Sequence, residues 1–199
     1  MLLILTGRSG SGKDTIAQYL KQIHNFERIV TYTTRPKRDY EVDGVDYHFI
    51  SENEFKQKEK EGFFLETTSF TNSDKKKLYY GTSFESLETK KKAILILNPS
   101  GVKELRNYNF NACIVHIDAD DNIISNRLAM RGDKSKEIKR RMKADKKDFK
   151  NIDGFTDYRI NNHGELTSNE IAYTLQDIYK RHLAILISNS LDEINPYYY

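Results

Sequence analysis

Leu2-Leu3-Ile4-Leu5-Thr6-Gly7-Arg8-Ser9-Gly10-Ser11-Gly12-Lys13-Asp14-Thr15-Ile16-Ala17-Gln18-Tyr19-Leu20 is the stretch on which the reading of this chain turns. Residues 2–6 are an apolar run of strand length, residues 7–13 form a glycine-rich loop, and from Asp14 onward the pattern is helical. Strand, loop and helix follow one another in the order a phosphate cradle requires. Gly7, Gly10 and Gly12 let backbone N–H groups fold inward around an anion. The helix adds the positive end of its dipole, and Lys13 can reach the outer phosphates of a nucleotide. With Arg8, Ser9 and Ser11 completing the loop, the expectation is a triphosphate site. The usual pattern closes Gly-Lys-[Ser/Thr], with the hydroxyl on Mg²⁺. Here Asp14 follows Lys13 and the hydroxyl comes one place later, so the metal ligand is either Asp14 or Thr15.

Composition narrows what such a loop can serve. A chain of 199 residues makes one domain, or one core with inserted lobes, and can bury a real hydrophobic centre. Its single cysteine, Cys113, lies within Ala112-Cys113-Ile114-Val115, which excludes a disulfide framework and suggests a small buried side chain in a reducing setting. Neither a signal peptide nor a span of about 20 apolar residues is present. A soluble, unanchored, cytoplasmic protein is expected, with no membrane partner. The formal net charge of +3 is too small to argue for nucleic-acid binding. The five histidines show no metal or triad spacing and read as surface or core residues.

Beyond the first helix, Phe26-Glu27-Arg28-Ile29-Val30-Thr31-Tyr32 alternates and is rich in β-formers, which predicts a second strand. Arg35-Pro36-Lys37-Arg38 follows, with Tyr47 nearby. Two arginines and a phenol suit a phosphate monoester, since each guanidinium can fork two oxygens; a solvated basic turn has the same composition. Ser51-Glu52-Asn53-Glu54 is a capping box whose polar helix should end near Gly62. Phe63-Phe64-Leu65-Glu66 and Tyr80-Gly81-Thr82 are separated by the lysine-rich segment 71–78, which reads as a solvated loop tip. Ala93-Ile94-Leu95-Ile96-Leu97 and Ala112 to Ile117 read as parallel strands buried on both faces, with a short helix from Pro99 to Tyr108 between them. Asp120 or Asp121 can cap a helix running to Gly132. A second helix from Ser135 to Phe149 carries Lys139-Arg140-Arg141, and the pair is either a solvated basic surface or a mobile lid. Tyr158 to Asn162 is the last predicted strand. Thr167-Ser168-Asn169-Glu170 caps a closing helix with Ile171, Leu175, Ile178 and Ile185 near one face, and the Tyr197-Tyr198-Tyr199 tail should fray.

Taken together, the loop at Gly7 and the run Thr33-Thr34-Arg35, Arg38, Glu41, Gly44, Tyr47 and Phe49 resemble the guanylate kinase family, closely over the first half of the chain and more loosely beyond. The resemblance implies that Arg35, Arg38, Tyr47 and Tyr80 hold the phosphate of an acceptor nucleotide. It places Thr31 where a serine bonds guanine O6, sets Thr82 against the base, and has Glu66 accept hydrogen bonds from guanine N1–H and the 2-amino group; Glu66 read on its own is an ordinary strand-edge carboxylate. It implies that Arg131 and Arg141 are catalytic lid arginines alongside Lys13, with Arg140 able to replace Arg141 and Arg127 a possible third. Asn161 falls near the adenine of ATP. Where the family carries aspartates, this chain has Ile96 and Asn98, which puts guanine selectivity in question more than phosphoryl transfer.

The expected fold is α/β: a parallel-sheet core flanked by helices (1–30, 83–123 and 151–199), an inserted mixed α/β lobe for the monophosphate (31–82) and a helical lid (124–150). The expected reaction transfers phosphate from ATP, with Mg²⁺, to GMP or dGMP. Two other readings stand beside it: a monophosphate kinase of different or broader base preference, and a guanylate-kinase-like binding module without catalysis. Modules of that kind characteristically lose the phosphate loop, and here Gly7, Gly12 and Lys13 are present. The expected partners are small nucleotides, with the chain a monomer or homodimer.

Overall fold

In a computed structural model, which describes residues 1–72, 75–88, 92–108 and 110–194, the chain runs β1 (Leu2–Thr6), α1 (Lys13–His24), β2 (Glu27–Arg28), β3 (Thr31–Thr33), β4 (Tyr47–Phe49), α2 (Glu52–Lys60), β5 (Phe64–Thr71), β6 (Lys77–Ser83), β7 (Ala93–Ile96), α3 (Pro99–Asn107), β8 (Ala112–Asp118), α4 (Asp121–Met130), α5 (Ser135–Asp148), β9 (Tyr158–Asn161) and α6 (Ser168–Ile194). The five-stranded sheet β2-β7-β1-β8-β9 is parallel throughout. β1 is its centre because all five of its residues are apolar or small enough to be covered on both faces. Leu3 and Leu5 pack with Ile16 and Leu20 of α1 and Ile171 and Leu175 of α6. Leu2 and Ile4 pack on the other face with Val102 and Leu105 of α3. The phosphate-loop sequence therefore leaves the sheet at the carboxyl end of its central strand, where open α/β sheets bind ligands.

A second sheet, β4-β3-β6-β5, is mixed: β3 and β4 are parallel, while β6 is antiparallel to both β3 and β5. The single strand expected over 26–32 is divided between the two sheets. Glu27 and Arg28 pair with Ala93 and Ile94, and Thr31–Thr33 pair with Tyr47–Phe49. Alternation and β-propensity mark the segment as extended, but they do not say which sheet edge each part meets. Aromatic rings fill the space between α2 and the second sheet, with Phe55 stacked on Phe64 at 4.6 Å. Gly81 is demanded by this packing, since a Cβ there would lie 2.8 Å from Phe64 Cδ1. The lysine-rich segment is the β5–β6 hairpin turn, in which Asn72 Oδ1 accepts from the Lys76 N–H at 2.9 Å; its Ser73 and Asp74 lie outside the described residues.

α4 and α5 share a small apolar cluster of Ile124, Leu128 and Ile138, with Met142 against it. Ser51 caps α2 through the Glu54 N–H at 3.2 Å. At α6, Thr167 Oγ1 accepts from the Glu170 N–H at 3.2 Å while the Glu170 carboxylate accepts from the Thr167 N–H at 2.8 Å. Ile171 and Leu175 are buried and Ile178 packs against them, but Ile185 is 54% exposed because the helix continues past the body that its first turns cover. The fraying expected at Tyr197–Tyr199 falls outside the described residues. Among the described residues no helix is long and apolar enough to cross a membrane.

Candidate active site

One cavity of about 1470 Å³ is lined by the glycine-rich loop, the second sheet and α5. On the loop side, Gly12 takes φ +99° at the start of α1, and a Cβ there would meet Asn162 Nδ2 at 2.5 Å. Only glycine lets this turn aim the helix end into the cavity. Lys13 folds back over the loop, its Nζ donating to the carbonyls of Gly7 (2.6 Å) and Arg8 (2.9 Å). Burial lowers its pKa, opposed by the carboxylates of Asp14 and Asp145. Asn162, 2% exposed, braces the loop by donating to the Ser11 carbonyl at 2.8 Å, while its Oδ1 accepts from Arg127 at 3.2 Å. Asp14 pairs with Arg28 at 2.9 Å, and both it and Thr15 line the cavity.

Facing the loop, the Arg35 guanidinium is held by Glu41 and lies over the Tyr47 ring at 5.4 Å. Arg38 donates its backbone N–H to Glu41 Oε2 at 2.8 Å, while its guanidinium donates to the Tyr40 hydroxyl at 3.1 Å and lies 3.8 Å from Glu41 Oε1. The Tyr47 and Tyr80 rings stand 6.1 Å apart. Burial, with Asp14 nearby, pushes the Tyr47 phenol up to about 12, so it remains an O–H donor at neutral pH.

Deeper in the cavity, Glu66 is 7% exposed. Its Oε1 accepts from Thr82 Oγ1 at 2.8 Å, whereas Oε2 is buried without a partner among the described residues. Burial drives its carboxyl up to about 7, against the opposing pull of the Thr82 hydrogen bond. Thr31, Ile96 and Asn98 complete this end. Asn98 caps α3, with its Oδ1 accepting from the Gly101 N–H at 2.9 Å and the Ser100 hydroxyl at 2.7 Å. Its amide nitrogen is the part left over for a ligand.

From the end of α4 and from α5 come Arg131, Arg140 and Arg141, all lining the cavity. Each is paired within its own segment: Arg131 with Asp133 at 3.0 Å, and Arg140 and Arg141 with Glu137 at 2.8 and 2.7 Å. Those bonds, Arg140's first, hold the Glu137 carboxyl at about 2 despite its partial burial. Asp145, one turn beyond Arg141, accepts from the Ser9 N–H of the loop at 2.6 Å. Such a cavity can hold two anionic ligands end to end, one on the loop and one on Arg35 and Arg38, with further cations between them.

A family model described as guanylate kinase matches residues 1–180. The chain belongs to the guanylate kinase family. It is 38% identical to the guanylate kinase of Helicobacter pylori over 181 residues, covering 87% of this chain and 85% of that one. To the guanylate kinase of a Nostoc species it is 32% identical, covering 87% and 88%. The crystal structure of guanylate kinase from Anaplasma phagocytophilum superposes with a TM-score of 0.69 at 21% identity, covering 91% of this chain and 85% of the other, and so shares the fold.

The structure adds detail at four of the sequence expectations. Asn161 is exposed on β9, and it is Asn162 that meets the loop, because successive strand residues point to opposite faces. The Arg8 side chain turns away from the cradle to Asp121 (2.5 Å), Asp118 (3.4 Å) and the Ala119 carbonyl, and Ser11 is fully buried with its hydroxyl 3.4 Å from Lys13 Nζ; neither residue lines the cavity. Arg127 braces the loop, with Nη1 at 3.4 Å from the Ser11 carbonyl. Finally, the fold gathers Cys113, Asp157 and His182, which no linear spacing brings together, with candidate ligand atoms within 4.8 Å. Burial pushes that thiol up to about 12, and Asp157 already accepts from the Ile114 N–H and Arg106, each at 2.7 Å. Asp145 also meets the loop, and its i, i+4 spacing from Arg141 places both on one helix face.

Proposed function

We propose that this chain is an ATP:GMP phosphotransferase, converting ATP and GMP or dGMP to ADP and the corresponding diphosphate. One observation carries the reading: Lys13, the Arg35 and Arg38 pair and the lid arginines line a single cavity. In this scheme segment 31–82 binds the monophosphate, 124–150 closes over the triphosphate, and the remainder is the core that holds the loop. Arg35, Arg38, Tyr47 and Tyr80 grip the acceptor phosphate. Thr31, Glu66, Thr82 and Asn98 read the base.

No general base is needed, because a phosphate monoester with a second pKa near ~6 is already largely ionised at neutral pH. An acceptor phosphate oxygen attacks the γ-phosphorus, the bond from that phosphorus to the bridging oxygen breaks, and ADP leaves with the electron pair. The protein's share is alignment and charge neutralisation by the loop N–H groups, Lys13, Arg131 and Arg141, with Arg140 the alternative to Arg141. Mg²⁺ prefers hard oxygen donors, and the exposed Asp14 carboxylate with the Thr15 hydroxyl at the loop's end fits that preference. Held by Asp14 or Thr15, the ion would offset phosphate charge. A cytoplasmic setting with small nucleotides as partners goes with this reading.

Ile96 and the capping use of Asn98 favour a second reading in which the base preference is wider, since this end offers one carboxylate and an amide. An ADP-release assay across GMP, dGMP, AMP, dTMP and dCMP separates the two, and Lys13→Ala should abolish turnover while keeping the fold. Release of ADP from none of the monophosphates, with ATP still bound, would instead leave a binding module.

A further inference from the structure

The loop N–H groups that would receive a triphosphate are not all free. Ser9 N–H already donates to Asp145 Oδ2 at 2.6 Å, across 136 residues of chain. Asp145 is a half-buried carboxylate on α5, close enough to Lys13 and Arg140 to act on both electrostatically. A carboxylate on a loop N–H beside the loop lysine reproduces part of what a phosphate does there: an anion accepting from backbone donors and neutralising the cation. Two further contacts lie around it. Lys146 approaches Asp121 at 3.6 Å, the aspartate that also holds Arg8, and the Phe149 ring stacks on His116 at 5.7 Å.

We propose that Asp145 is an autoinhibitory latch: its carboxylate occupies the anion site of the phosphate loop when no nucleotide is bound, and ATP must displace it to bind. The idea rests on the triphosphate reading of the loop given above. Displacement follows from charge. A triphosphate carries several negative charges into a site that already holds one, and the two cannot both sit on Ser9 N–H and Lys13. Release of Asp145 then frees the α5 face that carries Arg141, one turn away, to settle on the nucleotide. Binding of ATP and repositioning of the lid arginines become one event, and the nucleotide binds more weakly than an unlatched loop would allow, by the fraction of molecules that are unlatched.

The test is equilibrium binding of ATP with Mg²⁺, without acceptor, to wild type, Asp145→Ala, Asp145→Asn and Lys13→Ala. Asp145→Ala should bind about ten- to a hundredfold more tightly, the population ratio that one charge-assisted hydrogen bond sustains. Asp145→Asn keeps an oxygen for Ser9 N–H but not the charge, and should fall between the two. In the unliganded protein, α5 amides should exchange hydrogen faster in Asp145→Ala than in wild type. If Lys13→Ala loses binding while both Asp145 variants bind ATP no more tightly than wild type, the latch is wrong and the loop assignment stands. If Lys13→Ala binds ATP as wild type does, the loop assignment fails and takes the latch with it.

Discussion

The Arg35 guanidinium and the Glu41 carboxylate form a two-bond pair, at 2.7 and 2.9 Å, with Glu41 only 6% exposed. A fork held from one side presents its remaining donors in a fixed direction, toward the cavity that Tyr47 and Tyr80 line. Burial alone would raise the Glu41 carboxyl, but the bonds from Arg35 and Arg38 hold it below the ordinary carboxylate range. Its contribution to stability is therefore present above pH 4.5 and is lost as the pH falls through the depressed value. Glu41→Ala should raise the KM for GMP about tenfold or more, with a smaller change in kcat, and should cost roughly 3 kcal/mol, since it strands a mostly buried guanidinium. Steady-state kinetics and urea unfolding check both; an unchanged KM would show that Arg35 does not touch the acceptor.

If Glu66 reads the base as proposed, substrate affinity should depend on pH. Guanine N1–H and 2-amino groups need an acceptor, and the carboxyl, pushed up to about 7, becomes one only as the pH rises through that value. The KM for GMP should fall by up to about tenfold from pH 6 to pH 8. Stability moves the other way: the folded state holds a proton that the unfolded state releases near 4.5, so the stabilisation is complete below 4.5 and is lost as the pH rises to about 7. Glu66→Gln should flatten the stability slope and leave in the KM profile only the ionisation of GMP itself.

Neighbouring asparagines should behave in opposite ways. Asn162→Ala removes the donor to the Ser11 carbonyl and the acceptor for Arg127, and should cost about 1–3 kcal/mol and raise the KM for ATP. Asn161→Ala, at an exposed position, should change stability by less than about 0.5 kcal/mol and leave the KM for ATP alone. Thermal unfolding and ATP titration distinguish them, and equal effects would mean that the loop is not braced from β9.

At the end of the loop, Asp14→Ala should raise the Mg²⁺ concentration for half-maximal rate about tenfold if its carboxylate is an ion ligand. It should hardly alter stability, because its pair with Arg28 is largely exposed. The same rise with Thr15→Ala and none with Asp14→Ala would move the ligand role to the hydroxyl. The measurement is initial rate against free Mg²⁺ at fixed ATP.

By itself, the sequence determined the parts whose physics is local. The loop from Gly7 to Lys13, the buried run Ala93–Ile96 and the capping boxes at Ser51 and Thr167 all follow from spacing within about one turn or one strand. Tertiary structure decided what depends on partners far along the chain. Glu27–Arg28 and Thr31–Thr33 enter different sheets because β7 offers an edge to one and β4 and β6 offer edges to the other. Asn162 rather than Asn161 meets the loop because the pairing of β9 with β8 sets which side chains face inward. Arg8 belongs to Asp121, and Ser9 to Asp145, through contacts spanning more than a hundred residues. Short-range pattern carries the backbone's own hydrogen bonding, whereas which charge a side chain meets is settled only when distant segments pack.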